Sequence, residues 1–180
     1  MQIIGLAGPA GCGKDTAADY LCKEYGFLKY SFAKPLKAML EALGLPAEDY
    51  ESRELKEATH PSFGVSYRKM AQTLGTEWGR NLIHPDIWVI AAAKKLEQLK
   101  KAGCRGVVIA DCRFDNEATF IRKHGKLIHI KGRELPLAKD GQNHASEGGV
   151  KFAIATDEMF FNNFDIPNLH KQIDLFMGDD

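Results

Sequence analysis

The stretch IIGLAGPAGCGKDTAADYL, from Ile3 to Leu21, constrains the fold more than any other part of the chain. Gln2 to Ala7 reads as a short buried strand. Lys14 to Tyr25, with apolar positions at Ala17, Ala18, Leu21 and Cys22, reads as a helix stopped by Gly26. A buried strand that turns directly into a helix is the opening unit of a parallel sheet covered by helices. Between the two, Gly8, Gly11, Gly13 and Lys14 fit the pattern G-x-x-x-x-G-K, with Cys12 inside the turn. Glycines let backbone N–H groups curl around phosphate oxygens, the helix points its positive end at the anion, and Lys14 reaches the terminal phosphates.

One residue departs from the pattern. The position after the lysine ordinarily carries Ser or Thr, which holds Mg²⁺; here it is Asp15, and the hydroxyl arrives one residue later as Thr16. A carboxylate beside phosphates is repelled unless magnesium or a lysine intervenes. Asp15 is therefore expected to order magnesium-bound water or a neighbouring side chain, and Thr16 to contact a phosphate; Asp15 and Thr16 are both candidate residues for the Mg²⁺ site. The competing reading of Asp15 is a solvated acid favoured by the helix dipole.

The remaining elements continue the alternation. Phe27 to Phe32 reads as a strand and Pro35 to Leu43 as a helix closed by Gly44. Leu45 to Val65 is polar, contains Pro46 and Pro61, and reads as an irregular, partly helical insertion. Ser66 to Leu82 reads as a helix interrupted near Gly75, and Pro85 to Ala102 as a stronger one. The run GVVIAD, ending in Asp111, is short and β-branched as a central parallel strand should be. A helix from Asn116 to His124, the strand KLIHI and a polar loop from Lys131 to Gly149 follow. The tail offers a last strand around Phe164 to Ile166 and a helix from Asn168 to Phe176.

Composition narrows the partners. At 180 residues the chain is long enough for one domain with a real core. Its 24 basic and 24 acidic side chains cancel without a like-charged run, which argues against nucleic acid and membrane surfaces and for a small molecule. Cys12, Cys22, Cys104 and Cys112 form no CxxC pair and read as free thiols. With no leader pattern at the start and no run of about 18 apolar residues, a cytoplasmic protein is expected. A homodimer is compatible with the sequence.

The block GPAGCGKDTAAD resembles the loop of phage-type deoxynucleoside monophosphate kinases, a branch of the nucleoside monophosphate kinase fold. The resemblance continues through FAKPLKAMLEALGL (Phe32 to Leu45), RKMAQTLGTEWGRNLIHPDIWV (Arg68 to Val89), DCRFDNEATFIRKHG (Asp111 to Gly125) and, more weakly, HASE (His144 to Glu147). It implies an α/β P-loop NTPase fold: a five-stranded parallel sheet with helices on both faces, a nucleoside monophosphate-binding insertion at 45–88 and a lid at 131–149. It also implies transfer of the ATP γ-phosphate to a deoxynucleoside monophosphate, with ATP and Mg²⁺ as cofactors.

An acceptor phosphate is already ionised near neutral pH, its second pKa being about 6, so the reaction needs positive charge more than a strong base. Arg68, Arg80, Arg113 and Arg133 are the natural suppliers, because a guanidinium grips phosphate in a bidentate way. Carried over by motif, Arg68 and Arg80 hold the monophosphate, and Gln72, Thr76, Glu77 and Trp88 shape the base or sugar pocket, with Lys34 also on the substrate side. Each has an alternative as a solvated helix-face residue or, for Trp88, as core. Asp111 ends a parallel strand, where open α/β sheets place ligands; it holds Mg²⁺ through water, locks Arg113, or caps the strand. Asp115 is placed to cap the next helix, and Asn116 and Glu117 to orient Arg113 or contact substrate. Arg133 stands at the start of the expected lid, and His144 and Glu147 would brace its closed form.

Two other readings stay open on the sequence alone. One is a kinase of a different small acceptor, in which Asp111 acts as base. The other is a nucleotide-dependent switch or ATPase, against which stand the neutral charge and the lack of guanine-reading or helicase motifs.

Overall fold

A computed structural model describes residues 1–132, 149–163 and 165–178. They divide into two compact units, one of residues 1–31 and 93–180 and one of residues 32–92.

The first unit is built on a parallel sheet of strands β1 (Gln2–Ala7), β2 (Leu28–Tyr30), β3 (Gly106–Cys112), β4 (Lys126–Gly132) and β5 (Asp157–Asn162). Their order is β2-β3-β1-β4-β5, every neighbouring pair parallel. Alternation along the strands sorts the apolar residues to two faces. On one face Ile4, Leu6, Val108, Ala110, Ile128, Ile130 and Phe160 pack with Ala17, Ala18 and Leu21 of helix α1 (Lys14–Tyr25) and with Leu169 and Ile173 of α7 (Ile166–Gly178). On the other face lies α6 (Asp115–His124). Its Ile121 presses on Gly5 so closely that a Cβ there would sit 2.8 Å from Ile121 Cγ2. Helices thus cover both faces, as expected.

Two features close the β5 side. The Gln172 side chain accepts a hydrogen bond from Phe161 N at 2.8 Å and donates one to Phe161 O at 2.8 Å. At the other end of the strand, the buried Asp157 carboxylate accepts from Arg122 Nε at 2.7 Å and Nη2 at 2.6 Å, from Ala153 N at 2.9 Å and from Thr156 Oγ1 at 3.1 Å. His129 Nε2 lies 2.9 Å from the same carboxylate; because a carboxylate only accepts, that nitrogen carries the proton. Burial alone would raise the Asp157 pKa, but these donors hold the carboxyl well below the usual range.

The position of β5 corrects the expected strand around Phe164 to Ile166. Asp165 Oδ1 accepts from Asn168 N at 2.9 Å, an N-terminal cap that makes this stretch the start of α7. Phe164 itself lies outside the described residues.

The second unit begins at Phe32 and takes in α2 (Lys34–Ala42), a 3₁₀ turn (Ala47–Tyr50), α3 (Arg53–Glu57) and α4 (Tyr67–Gln72). Ser52 and Ser66 cap α3 and α4, their hydroxyls accepting from Leu55 N and Lys69 N. Leu40, Leu45 and Tyr67 form its core, with Tyr50 stacked on Tyr67 at a centroid distance of 4.3 Å. The expected break near Gly75 is instead a change of helix type. From Thr73 to Ile83 the chain continues as a π-helix of 11 residues, with wider turns closed by bonds five residues apart; the last runs from His84 N to Gly79 O at 3.0 Å. Helix α5 (Ile87–Lys101) follows.

Candidate functional site

Loop residues 8–13 leave the C-terminal end of β1 with three left-handed glycines, Gly8 (φ 141°), Gly11 (φ 76°) and Gly13 (φ 104°). Two of these are also sterically compelled. A Cβ on Gly8 would run into the Ile130 carbonyl oxygen and sit 2.8 Å from Cys12 Sγ, and one on Gly13 would collide with Asn162 Nδ2. The ends of β4 and β5 therefore press against the loop, and Asn162 Nδ2 donates to Cys12 O at 3.0 Å. Lys14 Nζ donates to the Gly8 and Pro9 carbonyls at 2.8 and 2.6 Å and lies 3.7 Å from the buried Cys12 Sγ.

Asp15, exposed in the first turn of α1, has a cationic partner. Lys29 Nζ of β2 lies 2.9 Å from Asp15 Oδ1 and 3.0 Å from Asp19 Oδ1. Of the two roles expected for Asp15, engagement of a neighbouring side chain is the one the geometry displays. Thr16 is half-buried one residue on.

Asp111 stands beside this loop by sheet register. β1 and β3 pair Gly5 with Ile109 but Ala7 with Cys112, so β3 holds one extra residue across Ala110 and Asp111. Such a bulge re-aims a side chain at a strand end. Ser31 Oγ donates to Asp111 Oδ2 at 2.6 Å. Next to it, the Glu117 carboxylate, 2% exposed, accepts from Arg113 N at 2.8 Å and Phe114 N at 3.1 Å. Glu117 thus takes the capping part expected of Asp115, whose side chain makes no cap. It shapes the loop that presents the exposed Arg113. Asn116 Oδ1 accepts from Glu117 N at 3.0 Å.

In the second unit, Arg68, Gln72 and Glu77 fall on one face of one continuous helix. Arg68 and Gln72 are four residues apart in α-register, and Gln72 and Glu77 five apart where the register widens. Arg68 Nη2 lies 3.5 Å from Glu57 Oε1, and Lys69 Nζ lies 3.9 Å from Glu77 Oε1. The Gln72 amide nitrogen is buried with no hydrogen-bond partner among the described residues. Thr76 is half-buried, Arg80 Nη1 donates to Pro85 O at 3.3 Å, and Lys34 is exposed at the start of α2. Trp88 is 5% exposed, donates from Nε1 to Gly75 O at 2.8 Å and packs on Gly79; it is part of the unit's interior. Arg133, His144, Glu147 and the interior of the expected lid lie outside the described residues.

Sequence reasoning missed Lys29, Ser31 and Asn162. Nothing local marks them, because each reaches the site only through strand order.

The donor types suit a nucleotide and a hard cation. Backbone N–H groups and a lysine are donors of the kind phosphates need, and the Thr16 hydroxyl and Asp111 carboxylate offer oxygens of the kind Mg²⁺ prefers. Among the described residues no helix is long and apolar enough to cross a membrane.

The family model described as Deoxynucleotide monophosphate kinase matches residues 2–60 and 47–173. A putative deoxynucleotide monophosphate kinase of Acanthamoeba polyphaga mimivirus is 34% identical over 190 residues, covering 96% of this chain and 94% of the relative. The deoxynucleoside-5'-monophosphate kinase of Escherichia phage T5 is 31% identical, covering 95% and 94%. Among solved structures, a sugar kinase from Janibacter has a TM-score of 0.54 at 12% identity, covering 99% of this chain and 95% of that one. The dephospho-CoA kinase of Campylobacter jejuni has a TM-score of 0.52 at 16% identity, covering 99% and 97%; these two speak for the P-loop kinase fold alone. The chain belongs to the deoxynucleotide monophosphate kinase family.

Proposed function

We propose that the protein transfers the γ-phosphate of ATP to a deoxynucleoside monophosphate, giving the diphosphate and ADP. The observation that carries this reading is a phosphate-binding loop with compelled glycines and a positioned lysine, in a chain that matches the family along nearly its whole length.

In this reading the loop N–H groups from Gly8 to Lys14 bind the ATP phosphates, and Lys14 exchanges its carbonyl partners for the terminal phosphate oxygens. Thr16 and Asp111 would hold Mg²⁺, Asp111 through water, with Ser31 fixing one of the Asp111 carboxylate oxygens. When bound, Mg²⁺ would neutralise charge on the phosphates. Arg113, on a loop pinned by Glu117, faces the transferred group, and Arg133 is assigned the same task. Arg68 and Arg80 hold the acceptor monophosphate by bidentate contacts. Gln72, Thr76 and Glu77 read its nucleoside; the buried amide of Gln72 supports this, since an unmatched polar atom costs about 1–3 kcal/mol unless a ligand satisfies it.

The test is ADP release from Mg·ATP with each deoxynucleoside and ribonucleoside monophosphate in turn, beside a blank without acceptor. Turnover with one or more deoxynucleoside monophosphates, well above the blank, is the expected result. ATP binding without turnover on any of them would overturn the reading.

A further inference from the structure

The acid that follows the loop lysine lies where a neutral hydroxyl usually sits, and the structure supplies its counter-charge. Asp15 and Asp19 are four residues apart on one face of α1, a spacing at which two carboxylates repel. Lys29 Nζ, from the neighbouring strand β2, lies within 2.9 Å of the first and 3.0 Å of the second. Its side chain is 37% exposed against 83% for Asp15, so the lysine is the anchored member and the acid the one drawn to it. Partial burial opposes the charge on Lys29, but its hydrogen bonds to Asp15 and Asp19 hold its pKa above the ordinary lysine value, and it stays cationic at neutral pH.

We propose that Lys29 is a positioning residue of the nucleotide loop: it draws the Asp15 carboxylate toward β2 and offsets its charge, so that a loop carrying an acid directly after its lysine still accepts a polyphosphate. The reasoning is electrostatic. A bare carboxylate in the first turn of α1 would lie well inside the Debye length of about 8 Å at physiological salt from anything the loop holds, so solvent ions would screen it poorly. The proposal rests on the loop binding ATP, as the kinase reading requires, but not on which acceptor is used.

The experiment measures ATP affinity by calorimetry, with magnesium and separately in a chelator, for wild type, Lys29→Met, Asp15→Ser and the double variant. Thermal midpoints are recorded alongside. Lys29→Met is expected to weaken ATP binding by about three- to tenfold when Asp15 is present, more at low salt, as an unscreened charge should. The same Lys29→Met change made on top of Asp15→Ser should cost less than about twofold, whatever the affinity of Asp15→Ser itself. A lysine that merely fastens β2 to α1 would lower the thermal midpoint and show no such coupling in affinity. An equal loss in both backgrounds, or no loss in either, overturns the proposal. Wild-type protein that binds no ATP would overturn the kinase reading itself, whereas ATP binding without turnover on any monophosphate would leave the Lys29 proposal standing.

Discussion

Trp88 donates its indole N–H to the carbonyl oxygen of Gly75 at 2.8 Å, and its ring fills the notch that Gly79 leaves open. Both glycines belong to the π-helix, so one side chain fastens the segment carrying Thr76, Glu77 and Arg80. Trp88→Phe removes the donor and the part of the indole that packs on Gly79. The expected result is a several-fold rise in KM for the monophosphate with KM for ATP unchanged, and a stability loss of about 2–3 kcal/mol. Steady-state kinetics in both substrates and a urea titration check it; equal changes in both KM values would show general loosening instead.

In the proposed function Lys14 serves the ligand and not the core. Its contacts are to loop carbonyls and to Cys12 Sγ. Lys14→Ala should cut kcat by roughly 10² or more, the scale of losing one preorganised charge at a transferring phosphoryl group, with a thermal midpoint close to wild type. Turnover within a few-fold of wild type would count against the loop assignment.

Asn162 braces the loop from the far end of β5 through its bond to Cys12 O. Asn162→Ala leaves that carbonyl without its donor and opens space beside Gly13. KM for ATP should rise several-fold while KM for the monophosphate holds. Gly13→Ala should do worse, because a Cβ at φ 104° is strained and collides with Asn162. Kinetics at fixed saturating acceptor will separate these outcomes.

The cluster of Asp157, Arg122 and His129 predicts how stability follows pH. His129 has a pKa lowered by burial, which outweighs the pull of Asp157. The unfolded chain therefore takes up this proton first on acidification, near the ordinary value of about 6.5, and stability declines from there downward. Asp157 is depressed in the fold, so its contribution is intact above about 3.9 and is lost below it as the folded carboxyl protonates. Thermal midpoints at stepped pH should fall on both stretches. His129→Gln should abolish the first decline, and Asp157→Asn should cost about 3–5 kcal/mol by leaving Arg122 unmatched. A midpoint that does not move between pH 7.5 and 5 in wild type would contradict the assignment to His129.

What the sequence disclosed was what the chain encodes locally. The loop from Gly8 to Lys14, the strand ending in Asp111 and helix α6 each carry their pattern within about ten residues of sequence, and each stands close to where it was expected. The strand Asp157–Asn162 was missed because its first residue is a buried acid that only Arg122 makes tolerable. The π-helix was misread as a break because a search at 3.6-residue spacing loses phase when turns widen. Asn162 and Cys12 are 150 residues apart and meet only because β5 and β4 close on the loop. Lys29 and Ser31 likewise depend on β2 lying next to β3.

Gln172 imitates a neighbouring strand. By offering one acceptor and one donor to the same residue, Phe161, its carboxamide fills the rung that an incoming extended chain would need first. Exposed apolar side chains sit nearby, Phe161 at 45% and Leu175 at 60% exposure, which would otherwise make this border adhesive. On the β5 border of the sheet, one amide thus occupies the rung at Phe161 that a sixth strand would have to take.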